Sequence, residues 1–485
     1  MTNLTPSAAR LPVTSRNAQR PSRWPPLIWP FVMFLLVLAA TGPNSLLALA
    51  ATIVLVLGCA MLWRPGEPPI LLYIFCFQWL QVSLLVFTAN MNGVSVGEFS
   101  SFGDVEETAI WLSLVGLLIV AAGMRLAVGR WQAGELALAR VQIQRTRQLK
   151  WLLLYVLALM ASMIAKELEE TVSGLAQPLQ AVGALKWTFF VIFTFASFVR
   201  ADASKLVWFA VFATEFGLSL GSYFSDFRHV IIYAVLGMVA AGTRFSPLTA
   251  TGLAIVAATT LALGIVWTAI KSDFRHFVSG GQRAQIVTVD HSERLNKLWE
   301  LTQELDSARL GEAANELAQR VSYTGFFAAT IEYVPRFVAH ENGAIWLDAV
   351  ARPFMPRMFF PEKSAIDDSA RTNKYTGLGV AGQEQGTSIS IGYFGEAYID
   401  FGRYGMMMIL FAAGLVFGLI YRWALRGRYS RGVLGTGLAP ALLIPAAAFE
   451  TSVTKLAGSL VVSVIVIWLF CRFVVPALAP WLQKE

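Results

Sequence analysis

The sequence predicts an all-α polytopic membrane protein with about twelve transmembrane helices and one large outer (periplasmic) loop that itself contains helices. Three observations carry this. The 485 residues are 56% hydrophobic and only 14% charged, where a water-soluble surface needs about 25% charged residues. The apolar residues fall in successive runs separated by short polar links. A single long polar stretch, Lys271 to Tyr404, interrupts that pattern, and it is far longer than the ~15 residues beyond which structureless connectors become uncommon.

The chain opens with residues 1–23, which carry Arg10, Arg16, Arg20 and Arg23 and no acid; they are expected to be disordered and cytoplasmic. Spans follow at about Trp24–Thr41, Ser45–Trp63, Ile70–Ala89, Thr108–Gly123, Trp151–Ala165, Gly183–Val199, Lys205–Gly221, His229–Ala241 and Pro247–Ile270, so that 24–270 holds nine. The polar loop occupies 271–404, and 405–485 adds spans at about Tyr404–Tyr421, Val433–Phe449 and Leu456–Val475. The first run has no small-residue cleavage pattern behind it and is expected to be an uncleaved anchor.

Charge fixes the expected orientation. Cytoplasmic links accumulate Lys and Arg. Arg64, the block from Arg125 to Lys150, Arg200/Lys205, Arg244 and Arg422/Arg426/Arg428/Arg431 fall on one side, the acidic link Asn90–Glu107 on the other. An even number of spans with both termini cytoplasmic satisfies this alternation. The net charge of +7 is thus distributed over links rather than gathered into a patch for nucleic acid. Cys59, Cys76 and Cys471 lie in apolar runs, without metal-ligand spacing, and read as packing residues.

Within the loop, Leu295, Leu298, Trp299, Thr302 and Leu305 recur at helical intervals, which predicts one helix over His291–Arg320 with Asp290 or Ser292 placed to cap it. Beyond it, Pro335, Pro353, Pro356, Pro361 and Gly377–Gly386 break regular structure. No HExxH, CxxC or GxxxxGK[ST] occurs, and His229, His276, His291 and His340 are scattered; neither a metal nor ATP is expected, and no cofactor. What the loop does hold is arginine beside tyrosine and carboxylate. A guanidinium presents a planar fork that suits phosphate oxygens; the alternative is pairing with neighbouring acids, as Arg336 with Glu332. Arg228-His229, preceded by Asp226, sits at the outer mouth of a span, where ionisable residues face a cavity or a partner. Lys271, Arg275 and His276 repeat that arrangement.

RVSYTGFFAATIEYVP from Arg320, RPFMPRMFFPEKS from Arg352 and IGYFGEAYIDFGRYG from Ile391, in that order and followed by a span, resemble the O-antigen polymerase (Wzy), or oligosaccharide repeat-unit polymerase, family. SDFRHVII resembles that family's Arg-bearing helix start. The chain departs from it at Asp400, where an Asn commonly precedes FG. The resemblance implies a GT-C-like bundle in the bacterial inner membrane. It also implies transfer of a growing glycan from undecaprenyl pyrophosphate to the non-reducing end of an incoming undecaprenyl-pyrophosphate-linked repeat unit, in O-antigen, capsule or exopolysaccharide biosynthesis. A chain-length regulator and a flippase would be its partners besides membrane lipid. On that reading Arg228, Arg320, Arg357 and Lys363 bind pyrophosphate and Glu396, with His229 second, is the base. Tyr323, Tyr393 and Tyr398 contact sugar. An O-antigen ligase would use the same scaffold. A lipid-linked sugar transporter or flippase is the alternative of another class, and the few charges deep in the spans and the absence of duplicated halves argue against it.

Overall fold

The computed structural model describes residues 24–25, 28–130, 134–172, 175–220, 227–242, 247–281, 288–355, 360, 362–382 and 387–483, and every regular element among them is helical. The first three helices, α1 (Ile28–Thr41), α2 (Ser45–Leu62) and α3 (Ile70–Met91), are joined by tight turns. The one-turn α4 (Val96–Phe99) is closed by a capping box between Ser95 and Glu98. It leads into α5 (Asp104–Val128), with Asp104, Glu106 and Glu107 in its first turn and Arg125 in its last, the charge order that a helix dipole favours.

Then come α6 (Gly134–Gln144), α7 (Gln148–Thr171), α8 (Ala176–Gly183), α9 (Leu185–Val199), α10 (Lys205–Leu220), α11 (Phe227–Ala240) and α12 (Pro247–Val278). The polar stretch forms α13 (His291–Gln303), α14 (Ser307–Val321), α15 (Thr324–Tyr333), α16 (Ala344–Ala351) and α17 (Asp368–Thr376). The chain closes with α18 (Tyr393–Arg426), α19 (Val433–Leu443), α20 (Val453–Leu469) and α21 (Val475–Gln483).

By length and composition, seven segments among the described residues can cross a membrane: Ser45–Leu62, Ile70–Met91, Asp104–Val128, Gln148–Glu169, Ala176–Val199, Tyr393–Arg426 and Val453–Leu482. Ile28–Thr41, Phe227–Ala240 and Val433–Ala446 are apolar but shorter. Each of the twelve expected spans coincides with a helix, yet the count of twelve is not reached on this measure. A helix of 14 residues, such as α1 or α11, extends ~21 Å, short of a hydrocarbon core of ~30 Å.

The seam between α5 and α18 is the spine of the bundle. A Cβ on Gly414 would lie 2.2 Å from the Val120 carbonyl oxygen, and one on Gly418 2.6 Å from that of Met124. One on Gly123 would lie 2.4 Å from the carbonyl oxygen of Phe411. Only hydrogen fits there, the small-residue device that lets helix backbones touch. Residue numbers rise together along this seam, so α5 and α18 run parallel.

The start of α18 behaves differently. Phe394 and Leu410 both reach Gly116, at 2.6 and 3.0 Å from its Cβ position. Sixteen residues of straight helix would separate them by ~24 Å, too far for both side chains to meet at one point. Gly402, with φ +65° and ψ −171°, is where the helix folds back. Residues 393–401 form one arm of a hairpin and 403–426 the other. The apex is braced by the segment before α16: His340 Nδ1 lies 3.1 Å from the Ile399 carbonyl. The buried Asp400 carboxylate accepts from the backbone N–H of Ile345 (3.2 Å) and Trp346 (2.8 Å), capping α16.

Opposite the apex, arginines gather at the C-terminus of α5. Arg64 and Arg125 donate to the Gly129 carbonyl at 3.1 and 2.6 Å, and Arg426 to those of Val128 and Arg130 at 3.3 and 3.2 Å.

α12, α13 and α14 make a separate apolar contact around Ile270, Phe274, Val278 and Leu301. Lys271–Glu316 and Arg309–Asp273 ion pairs, each 2.6 Å, join α12 to α14, which accounts for Lys271 and Asp273 by packing. The single helix expected over His291–Arg320 is two. Asp306 starts the second by accepting from the Arg309 N–H at 2.7 Å, so a capping residue interrupts the apolar period. Asp290 occupies the N-cap position of α13 without a side-chain cap bond. The cysteines are unbonded; Cys59 and Cys471 are buried and Cys76 half-buried.

Candidate functional site

α17 is the element that turns polar residues inward. Asp367 caps it by accepting from the Ala370 N–H at 2.9 Å, and Gly377, with φ +67°, ends it. Asp368 and Arg371, one turn apart, then meet the first arm of α18 and the start of α20. Arg371 Nη1 donates to Glu396 Oε1 at 2.7 Å and to Thr454 Oγ1 at 3.2 Å. Glu396 Oε2 accepts from the Val453 N–H, so this carboxylate also caps α20.

Asp368 Oδ2 lies 2.7 Å from Lys455 Nζ. That distance makes an ion pair, yet neither Asp368 oxygen receives a donor at hydrogen-bond angle among the described residues. Lys455 also donates to Ser388 Oγ at 2.9 Å. Glu396 and Asp368 are each 1% exposed, while Lys455 is 46% exposed. The result is a charge network with two buried carboxylates and a cationic edge open to the surroundings.

Beneath it lies the break between α19 and α20. α19 ends at Leu443, a short 3₁₀ turn covers Ile444–Ala446, and α-helix resumes at Val453. Two glutamines of α3 occupy the break. Gln78 donates to the Ala446 carbonyl at 2.7 Å; Gln81 donates to Glu450 Oε2 at 2.6 Å and accepts from the Phe449 N–H at 2.9 Å. Tyr73 lies within electrostatic reach of both Glu450 and Arg228. Tyr323 feels Glu450 and Asp368, and burial together with those negative charges pushes its phenol well above the usual range.

Of the residues singled out from the sequence, Glu396 is at the centre. Arg228 is exposed in the first turn of α11, with half-buried His229 beside it. Arg320, at the end of α14, is 55% exposed and lies 3.7 Å from Glu316. Lys363 donates to the carbonyls of Arg352 and Met355, at 2.7 and 3.0 Å, which ties a loop together. Arg357 is outside the described residues. The tyrosines are packing groups: Tyr393 is fully buried and donates to Gln78 Oε1 at 3.0 Å, and buried Tyr398 donates to the Val334 carbonyl at 3.2 Å. Tyr323, half-buried, donates to the Ser390 carbonyl. With the rings of Tyr393 and Tyr398 inside the protein, neither presents a face on which a sugar can stack.

Arg371, Asp368, Lys455, Glu450 and the two α3 glutamines are the residues that spacing alone did not single out as a site. A signal existed for two of them, because Glu450 and Lys455 are the charges that flank the start of the last apolar run.

Comparison with curated proteins and with solved structures gives no match. A family profile described as a domain of unknown function, DUF8712, matches residues 117–475. That range takes in the α5–α18 seam from Leu117 onward, all of α17, the hairpin and the broken α19–α20 pair, and leaves out α1 to α4. Because the match covers well over half of the chain, the protein belongs to the DUF8712 family.

Proposed function

We propose that this chain is a polymerase of lipid-linked oligosaccharide repeat units. It would act at the outer face of a bacterial inner membrane and take the positive charge its leaving group requires from guanidinium and ammonium groups rather than a metal ion. One observation carries this reading: the Asp368–Lys455 and Arg371–Glu396 pairs lie where the long polar stretch folds onto a broken helix of an apolar bundle. Two substrates tethered to lipid react at such a junction, because their headgroups reach it while their chains stay in the bilayer. The transferred glycan leaves pyrophosphate behind, and Arg228, Arg320 and Lys455 are exposed cations able to meet that charge. Arg371 holds Glu396 and so keeps the broken helix in place.

The topology that this reading requires has twelve crossings and both termini cytoplasmic. The parallel course of α5 and α18 supports it, since parallel helices need an odd number of crossings between them, and α7, α9, α10, α11 and α12 are five. The resulting orientation puts the arginines at the C-terminus of α5 inside.

The test is to reconstitute the purified chain in proteoliposomes with undecaprenyl-pyrophosphate oligosaccharides extracted from a strain lacking it. A ladder of lipid-linked products is expected. Transfer to a different acceptor without a ladder would make it a ligase, and movement across the bilayer without covalent change a transporter.

A further inference from the structure

We propose that Glu450, rather than Glu396, takes the proton of the acceptor hydroxyl, and that the Arg371–Glu396 pair is the frame that positions it. This rests on the glycosyl-transfer reading above. The two carboxylates differ in what their oxygens already do. Both Glu396 oxygens are engaged, one by Arg371 and one by the Val453 N–H. Protonating it would break the ion pair with Arg371 and weaken the cap on α20.

Glu450 is held by one oxygen only. Gln81 Nε2 donates to Oε2 at 2.6 Å, and Oε1 has no hydrogen bond among the described residues. The side chain is half-buried, in the gap where neither α19 nor α20 continues. Its backbone is clamped on three sides. Gln81 Oε1 accepts from the preceding N–H at 2.9 Å. The Tyr393 N–H donates to the Thr451 carbonyl at 3.0 Å. At Gly392, whose φ is +87°, a Cβ would strike the Phe449 carbonyl oxygen at 2.3 Å. Glu396, three residues into α18, fixes Val453, three residues beyond Glu450. A free carboxylate oxygen on an immobilised backbone is the geometry that a general base requires.

The groups that face it complete the argument. Tyr73 of α3 and Tyr323 before α15 both feel the Glu450 charge, Asp368 of α17 acts on Tyr323, and Arg228 of α11 acts on Tyr73. Glu450 and the exposed Arg228 guanidinium thus both act electrostatically on Tyr73. In the step proposed, the acceptor hydroxyl oxygen forms the new bond to the anomeric carbon of the donor glycan. The bond from that carbon to the pyrophosphate oxygen breaks, the electron pair leaves with the pyrophosphate beside Arg228, and the hydroxyl proton passes to Glu450 Oε1. Release of that proton to water restores the carboxylate.

The test uses the full chain in proteoliposomes with the same extracted undecaprenyl-pyrophosphate oligosaccharides. Glu450→Gln keeps the shape and the bond from Gln81, and is expected to lower the initial rate of ladder formation about 100-fold. Binding of the unextended lipid-linked oligosaccharide should be unchanged, and the acid limb of the wild-type pH–rate profile should be lost. Glu450→Asp should recover part of the rate. Glu396→Gln should lower thermal stability and rate together, with the acid limb retained. A ladder made at the wild-type rate by Glu450→Gln overturns the role of Glu450 and leaves the polymerase reading intact; wild-type protein that makes no ladder overturns both.

Discussion

The two halves of α5 solve the problem of placing charge in an apolar bundle in opposite ways. At its C-terminus Arg64, Arg125 and Arg426 converge on the carbonyls of Val128, Gly129 and Arg130. The Val128 oxygen is one of the acceptors that any helix leaves unsatisfied at its end, and the Gly129 and Arg130 oxygens follow directly after it, so the arginines fill bonds that the backbone already owes. Among the described residues one carboxylate joins them closely, Glu67, at 2.6 Å from Arg64 and accepting from the Tyr421 hydroxyl at 3.0 Å. Over its N-terminal half, down to the level of Gly116 where Phe394 packs, the charges meet one another or hydroxyls. Arg371 faces Glu396, Lys455 faces Asp368, and buried Glu106 accepts from Ser100 Oγ at 3.0 Å and from the Thr324 hydroxyl. A ring of arginines on carbonyls needs little burial outside the Arg64–Glu67 pair. Paired charges inside the protein cost desolvation, and a fold that keeps them has a use for them.

The largest effect should come from dividing a buried pair. Arg371→Ala leaves Glu396, 1% exposed, with the Val453 N–H as its one partner among the described residues, and removing one member of a buried pair costs about 3–5 kcal/mol. Replacing both together, Arg371→Leu with Glu396→Gln, should cost less than the single change, because no charge is then stranded. Denaturant or thermal unfolding in detergent micelles measures both. A loss below about 1 kcal/mol for Arg371→Ala would mean that water reaches Glu396, and the contrast between the two ends would disappear.

That pair also marks the limit of what the sequence disclosed. Helices and their order were legible because an apolar run long enough to cross a bilayer has few alternative folds. Glu396 was legible as the acid inside GYFGEAYIDFGRYG. Its partner lies 25 residues earlier across a Gly-rich link, and nothing periodic connects Arg371 to it. The fold-back at Gly402 was hidden for a related reason: GRYG suggests a turn, but only contact of Phe394 and Leu410 with one glycine shows that two helical arms lie side by side. Asp400, which departs from the resembled family's Asn, turns out to cap α16, a role either residue type can fill. Lys363 and the tyrosines stand out by residue type, and type does not reveal that a hydroxyl or ammonium is already spent on a carbonyl.

A second, smaller effect tests whether the ends are held at a fixed distance. The seam of α5 and α18 joins them, and Gly414 leaves no space for a side chain, with a Cβ 2.2 Å from the Val120 oxygen. Backbone cannot give way as a flexible side-chain tip does. Gly414→Val should therefore cost about 2–3 kcal/mol by overpacking, with loss of stability rather than of insertion. A neutral result in the same unfolding assay would show that α5 and α18 can part, and that the charge network does not depend on their contact.

The smallest effect belongs to the arginine ring. Arg426→Ala removes donors to the Val128 and Arg130 carbonyls, at 3.3 and 3.2 Å, but leaves no charge unpaired. The second contact is exposed, so water can replace it. Gly129, between the two carbonyls, keeps both Arg64 and Arg125. The expected loss is about 0.5–1 kcal/mol, the net worth of ordinary hydrogen bonds, several-fold below that for Arg371→Ala. Unfolding of the two variants under one set of conditions gives the ratio directly. Equal losses would mean that Arg426 also supports the Arg64–Glu67 pair beside Tyr421, the ionic contact in the ring that is buried on both sides, rather than its own two carbonyls alone.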